Sequence, residues 1–248
     1  ELESEFAKTA VHGPVQRGNC ISCHNAHGAD KGQLLKETGS KLCAQCHDEL
    51  MKGEELTNHM PFTEGDCLTC HDPHASNHVG MTSTAQEVLC FSCHADLKES
   101  MAADTSRHTP VSAGECTKCH DPHKAKLNSL LLAQPPDLCL TCHEDLKEKM
   151  AAQRTHSPAA RDCTRCHRPH SSGQESLITQ PLHALCGECH NTDEESFQEA
   201  HLYIKAADMD CKTCHEPHAS KDPKYFKPSL HAPFASRSCD PCHIVKQK

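Results

Sequence analysis

The chain has 248 residues, a formal net charge of −9, no Trp, two Tyr and six Phe. Leu, Ile, Val and Phe together number 37, about 15% of the residues, and a chain below about 20% in these types is ordinarily read as disordered. A hydrocarbon core of normal size is excluded, so the 20 Cys and 23 His must account for whatever interior exists.

Along the chain the same elements recur. His12-Gly-Pro14 precedes Cys20, Cys23 and His24, with His27 trailing; then Leu34-Leu35, Cys43, Cys46 and His47. His59-Met-Pro61 leads to Cys67, Cys70 and His71, trailing His74, and Cys90, Cys93 and His94. His108-Thr-Pro110 leads to Cys116, Cys119 and His120, trailing His123, and Cys139, Cys142 and His143. His156-Ser-Pro158 leads to Cys163, Cys166 and His167, trailing His170, and Cys186, Cys189 and His190. His201 precedes Cys211, Cys214 and His215, trailing His218; His231-Ala-Pro233 precedes Cys239, Cys242 and His243. These elements divide the chain into five repeats, 8–57, 58–105, 106–153, 154–198 and an atypical 199–248, forming one array over 1–248. Within a repeat the first motif is called odd and the second even; the motif at Cys239, preceded by His-x-Pro, is of odd type.

Even motifs open helix-like segments, residues 95–103 and 144–152, with acidic residues early and Lys later, as a helix dipole favours. Pro73, Pro122, Pro169, Pro217 and Pro135-Pro136 limit regular structure elsewhere. No alternating run suggests a sheet. The expected fold is mostly irregular with short α-helices, an extended array without significant β-sheet.

All ten Cys-x-x-Cys pairs are followed at once by His, the pattern of covalent c-type haem attachment. Two thiols add to the vinyl groups and the adjacent imidazole binds iron. Zinc sites also use Cys-x-x-Cys but give no reason for a His after every pair. At the chain's His frequency, ten of ten by chance has odds of roughly one in 10¹⁰. A disulfide framework or a single dithiol redox motif likewise leaves the His unexplained. The expected cofactors are ten c-type haems, whose apolar faces replace the missing core.

Ten His belong to motifs, leaving thirteen. His12, His59, His108, His156, His201 and His231 lie seven to ten residues ahead of a motif; His27, His74, His123, His170 and His218 follow a motif His by three. These eleven are the candidate sixth ligands, since neutral imidazole binds iron well. His78 and His183 fit neither set and read as surface residues or neighbours of a ligand. Met101 and Met150 fall on one helix face with Leu97 and Leu146, and read as packing residues rather than ligands. Bis-His ligation without Met implies potentials below zero on the hydrogen scale.

From His12 to His243 the chain resembles multihaem c-type cytochromes of the paired Cys-x-x-Cys-His type, whose relatives include periplasmic carriers, porin-threading subunits and cytochromes of extracellular filaments. The resemblance implies loops and short helices wrapped on a chain of haems. It also implies, by likeness to class III tetrahaem cytochromes, that His12, His59, His108 and His231, and by extension His156 and His201, ligate the haem of the motif that follows them. On that basis six odd-type motifs take six upstream His and four even motifs draw on five trailing His. One trailing His, either His27 or His218, is then spare, and reads either as a surface residue or as a ligand for a haem of a neighbouring protomer.

A haem for about every 25 residues brings neighbours close enough for electrons to hop. The reading is a conduit in extracytoplasmic respiration, with a soluble carrier or reservoir as the alternative. A haem reductase is disfavoured because the spare His cover every iron. Each oxidised haem adds about −1, from +1 at the centre and −2 on the propionates, favouring basic partners or cations. Expected partners are redox proteins or extracellular acceptors, a porin, or further copies end to end; nothing suggests nucleic acid. Haem attachment outside the cytoplasmic membrane implies export to the periplasm or cell surface. The start at Glu1 without a signal pattern fits a mature form, and no apolar run approaches 18 residues.

Overall fold

A computed structural model describes residues 2–53 and 57–232. The chain forms two compact units, Glu1–Ala103 with Arg107–Gln134, and Asp104–Ser106 with Pro135–Lys248. The expected fold class holds: the described residues are mostly irregular, with short helices and two-residue strands. The motif at Cys239, Cys242 and His243 lies outside the described residues.

In the first three repeats the upstream His-x-Pro is a helix start. His12, His59 and His108 occupy the N-cap positions of one-turn helices Gly13–Gln16, Met60–Glu64 and Thr109–Ser112, with Pro in the first turn. Proline is suited there because its fixed φ is helical and its missing N–H would have no partner. Each described motif then makes one tight turn, in which the motif His N–H donates to the carbonyl of the first Cys, from 2.9 Å at His47 to 3.1 Å at His143. Both thiols and the imidazole thus come from one short, closed segment.

Beyond each odd motif the chain returns on itself. Residues 32–35, 128–131 and 175–178 are tight turns with two consecutive left-handed residues, Gln33-Leu34, Ser129-Leu130 and Ser176-Leu177, φ 52° to 60°. Such turns match strand twist but ordinarily use Gly or Asn. The second Cys of the motif accepts an N–H from just past the turn, Lys36 to Cys23 at 2.9 Å and Ser83 to Cys70 at 2.8 Å, so the loop is closed at both ends.

Short antiparallel ladders join successive repeats: Ala10–Val11 with Ala75–Ser76, Thr57–Asn58 with Lys124–Ala125, and Arg154–Thr155 with Ala219–Ser220. Each sets the two residues before an upstream His against the two after the trailing His of the next repeat. Gly114, at φ 70°, marks a second close approach, because a Cβ there would lie 2.7 Å from Glu87 Cβ. The helices Ala95–Ala103 and Glu144–Ala152 match the expected segments.

Side chains fill almost none of the interior. Among the described residues the buried apolar side chains are Ala75, Met101, Ala125 and Ala219, and the ladder serines Ser76, Ser171, Ser172 and Ser220 are buried beside them. The chain exposes 17485 Å², whereas a folded monomer of 27.3 kDa is expected to expose about 11,000 Å². Ile21, Leu68 and Val88 are exposed although they adjoin the motifs. Among the described residues no helix is long and apolar enough to cross a membrane.

Candidate metal centres

The odd-motif imidazoles are held by backbone. His24, His71, His120, His167 and His215 each place Nδ1 2.7–2.9 Å from the carbonyl nine residues on, at Gln33, Gly80, Ser129, Ser176 and Lys224. A carbonyl only accepts, so Nδ1 carries the hydrogen and Nε2 keeps the lone pair. Upstream histidines are fixed in the same way by the proline of a Cys-His-x-Pro-His in the next repeat. His12 donates to Pro73, His59 to Pro122 and His156 to Pro217, at 2.8–3.0 Å.

Within the units, the rings whose Nδ1 is tied in this way face a second histidine. His12 pairs with His47, His59 with His94 and His156 with His190, at centroid separations of 6.1–6.2 Å and interplanar angles of 15–20°. His24 pairs with His74, His71 with His123 and His167 with His218, at 5.9–6.1 Å and 16–21°. His201 pairs with His215 at 6.3 Å but 47°. Every pair joins one motif His to one His outside the motifs.

These separations test the fit of an iron between the rings. Two imidazole nitrogens each about 2.0 Å from one metal lie about 4 Å apart, and roughly 1.2 Å more on each side reaches the ring centres, about 6.4 Å in all. The observed separations fit two imidazoles that would hold one iron between them. Among the described residues no group of three or more His, Cys, Asp or Glu is placed to hold an ion alone. The histidines come in twos, as required when a macrocycle supplies the other four ligands.

The partners differ from those the class III likeness implied. His12, His59 and His156 face even-motif histidines of their own repeat, not the odd motif that follows them. His74, His123 and His218 face the odd motif of the preceding repeat, not an even motif. The ladders explain this, because they lay the residues after each trailing His beside the upstream His of the repeat before. His201 instead faces its own following motif. It lacks the Pro, ends helix Glu195–Ala200, donates Nδ1 to Phe197 O at 2.8 Å and stacks on the Phe197 ring at 4.0 Å.

Among the other candidates, His108 and His143 sit at helix N-caps and His170 follows Pro169. His231 is exposed. His27 is exposed and, among the described residues, has no hydrogen-bond or ring partner. His78 is half-buried, its N–H bonded to Ser76 Oγ, and His183 is exposed. Met101 is buried, at 7% exposure.

Burial favours the neutral form of three of these rings. His123, His156 and His218 lie below the usual imidazole value chiefly through desolvation, which preserves the free lone pair. Capping carboxylates hold the trailing histidines: Asp72 accepts from the N–H of His74 at 2.9 Å, Asp121 from that of His123 at 2.9 Å, and Glu216 from that of His218 at 3.4 Å.

The thiols of successive motifs lie together. Burial and then Cys67 push Cys43 up to about 11; Cys163 does the same to Cys139, and Cys211 to Cys186, each again about 11. A hydrogen bond between Cys90 and Cys116 lowers Cys116 to about 7 and raises Cys90. The first Cys of each of these even motifs therefore meets the first Cys of the next odd motif. The described cysteines form no disulfide.

The carbonyls at Gln33, Gly80, Ser129, Ser176 and Lys224 had no place in the reading of the sequence. Their signal was the constant nine-residue offset from each odd-motif His, which carries no conserved side-chain type. A family model described as the doubled CXXCH motif matches residues 12–52, 59–99, 108–148 and 156–195, together about two thirds of the chain. No curated protein matches.

Proposed function

The chain belongs to the doubled CXXCH motif family of multihaem c-type cytochromes, whose work is electron transfer, and from that premise we propose that it carries ten bis-His haems as an extracytoplasmic electron conduit. The observation that carries this is the set of histidine pairs at 5.9–6.3 Å with Nδ1 tied to backbone carbonyls. Haem, when bound, supplies a one-electron ferric/ferrous couple.

The chain's own residues do the rest. Nine described turns each present two thiols and an imidazole, and the tenth motif repeats their sequence. The distal donors are His12, His59, His108 and His156 in one set and His74, His123, His170 and His218 in the other, with His201 local to its motif. Carbonyl acceptors on Nδ1 make the imidazoles electron-rich, which favours ferric iron and low potential. Adjacent thiols, such as Cys43 with Cys67, put consecutive attachment points side by side, which favours passage along the series over storage at isolated centres.

Mass spectrometry of the holoprotein with a pyridine haemochrome assay should return ten haems per chain. Potentiometric titration should place the midpoints below zero, with a low-spin spectrum throughout. Fewer than ten haems, or midpoints mostly positive, would refute the reading. A soluble carrier shares these centres; conductance measured across a single adsorbed layer separates the two, being high for a conduit.

A further inference from the structure

We propose that Phe197 is a positioning residue that holds the ring of His201 crossed to that of His215, and that the centre between these two histidines is thereby higher in potential than the near-parallel pairs, so that electrons collect there. The proposal rests on the bis-His reading above.

Six of the facing pairs lie within 21° of parallel. His201 and His215 are 6.3 Å apart, nearly the same separation, yet their planes cross at 47°. The difference is one of rotation, not of distance. The neighbours of the two rings differ as well. Phe197 lies face-on to His201 at 4.0 Å with 27° between planes, and Phe226 lies face-on to His215 at 4.8 Å and 19°. Phe62 and Tyr225 approach His123 and His156 edge-on instead, at 62° and 63°.

An imidazole bound through Nε2 keeps one freedom, rotation about the axis through that nitrogen. A ring lying flat on its face blocks the rotation, whereas an edge contact leaves room for it. Phe197 grips His201 twice, since its carbonyl also takes the Nδ1 hydrogen at 2.8 Å. Behind His201 the chain closes over left-handed Leu202 and Tyr203, φ 55° and 59°, with the Tyr203 N–H on Gln198 O at 2.8 Å. Such strain persists only where surrounding contacts fix the backbone. On the other side, Phe226 bridges His215 at the position that Leu35, Thr82, Leu131 and Ile178 occupy against the other odd-motif histidines. An aromatic ring stands where those repeats have none.

The angle matters because each imidazole donates π density to the iron d orbital that overlaps its own π system. Parallel rings raise one orbital together and stabilise the ferric hole in it. Crossed rings divide the effect between two orbitals, so ferric iron is favoured less and the potential rises. The two Phe rings act in the same direction, because ferric iron carries one more positive charge than ferrous and gains least from apolar surroundings. Cys211 meets Cys186, whose motif carries His190 of the near-parallel pair with His156. Each electron gained at the crossed pair leaves a neighbouring centre oxidised, with no other group transferred.

The test uses the full holoprotein and the variants His201→Ala, Phe197→Ala, Phe197→Tyr and Phe226→Leu, read by electron paramagnetic resonance during stepwise reduction. The wild type should show, beside ordinary rhombic low-spin signals, a low-spin signal of larger maximum g that disappears first. His201→Ala should lose that signal. Phe197→Ala keeps the carbonyl and removes the ring, so the signal should move into the rhombic group. Its lead in reduction should fall by at least about twofold in equilibrium constant. Phe197→Tyr should retain the signal, and Phe226→Leu should shift it the same way by less. A wild type without the signal overturns the proposal, as does its survival in His201→Ala or its disappearance after the rhombic signals. So does a signal unmoved in Phe197→Ala or in Phe226→Leu. A high-spin haem in Phe197→Ala also overturns it, because the ring would then serve ligation and not its angle. A haemochrome count on the same samples is independent: ten haems with uniform rhombic signals sinks this inference alone, and a lower count sinks the functional reading.

Discussion

In the fourth repeat His156 gives its Nδ1 hydrogen to Pro217, 61 residues away, and faces His190 with planes 19° apart. In the fifth, His201 gives its own to Phe197, four residues back, and faces His215 at 47°. One centre is assembled by a neighbouring repeat and the other by a single helix turn. Where a following repeat supplies a ladder, as at His156, the tether comes from a distance and the paired rings lie nearly parallel; His201, tethered within its own helix turn, turns to the nearest motif. His167 and His218 are 51 residues apart and His201 and His215 only 14. Closing the longer loop through a metal constrains the unfolded chain by about 1 kcal/mol more.

The largest effect expected is one that erases the comparison. Produced without haem, both regions should lose structure together, because four buried apolar side chains among the described residues are no core. Far-ultraviolet circular dichroism and limited proteolysis should show an unfolded chain at 25 °C. A protected apo-fragment from either unit would break the claim that metal centres organise both.

Next in size is removal of one distal ligand from each kind of centre. His74→Ala should open the haem on Cys20 and Cys23, not the one on Cys90 and Cys93 that follows it in sequence. His201→Ala should open that on Cys211 and Cys214. Each should add one high-spin, carbon-monoxide-binding haem and raise one midpoint. In a Cys20→Ala/Cys23→Ala background, His74→Ala should add no further high-spin signal. A new signal there would mean that ligands are local in every repeat. Denaturant titration should show His74→Ala costing about 1 kcal/mol more than His201→Ala, from the longer loop it leaves open.

A smaller effect attaches to the carboxylates that hold trailing histidines. Burial pushes the Asp72 carboxyl up, but the N–H groups of His74 and Ala75 and the Lys8 ammonium outweigh it, leaving Asp72 below its ordinary value. The stabilisation is present above about pH 4 and is lost as pH falls through the lower folded-state value. Asp72→Ala should cost about 1 kcal/mol at pH 7, measured by denaturant titration, and flatten the acid limb. In the fourth repeat Arg168 stands at this position, and Arg168→Ala should leave the acid limb unchanged.

The chemistry was legible in the sequence and the wiring was not. Cys-x-x-Cys-His names its own cofactor, and Pro73 or Pro217 marked a recurring ligand segment whose carbonyl role only the structure shows. The helices at Ala95–Ala103 and Glu144–Ala152 were readable from charge order alone. Partner choice was hidden because nearly equal repeat lengths make every assignment of His12 or His74 look alike along the chain. What breaks the tie is a series of two-residue ladders, such as Ala10–Val11 with Ala75–Ser76, and two residues are too few to show an alternating pattern.

The same blindness covers the strained turns, and they give the smallest effect. Ser129 and Ser176 hold φ near 57°, where an L side chain costs about 1 kcal/mol relative to glycine. Their carbonyls accept from His120 and His167, and a carbonyl belongs to the backbone whatever the side chain. Ser129→Gly and Ser176→Gly should therefore raise the unfolding free energy by up to about 1 kcal/mol, with no midpoint shift, since the acceptor on Nδ1 stays in place. The second repeat already uses Gly80 at this position, φ 71°, and Gly80→Ser should lose a similar amount. A stabilised Ser129→Gly with a shifted midpoint would mean that the serine side chain, and not only the turn, tunes the iron. Equal midpoints with opposite stability changes would assign the turn to aiming one carbonyl at the imidazole.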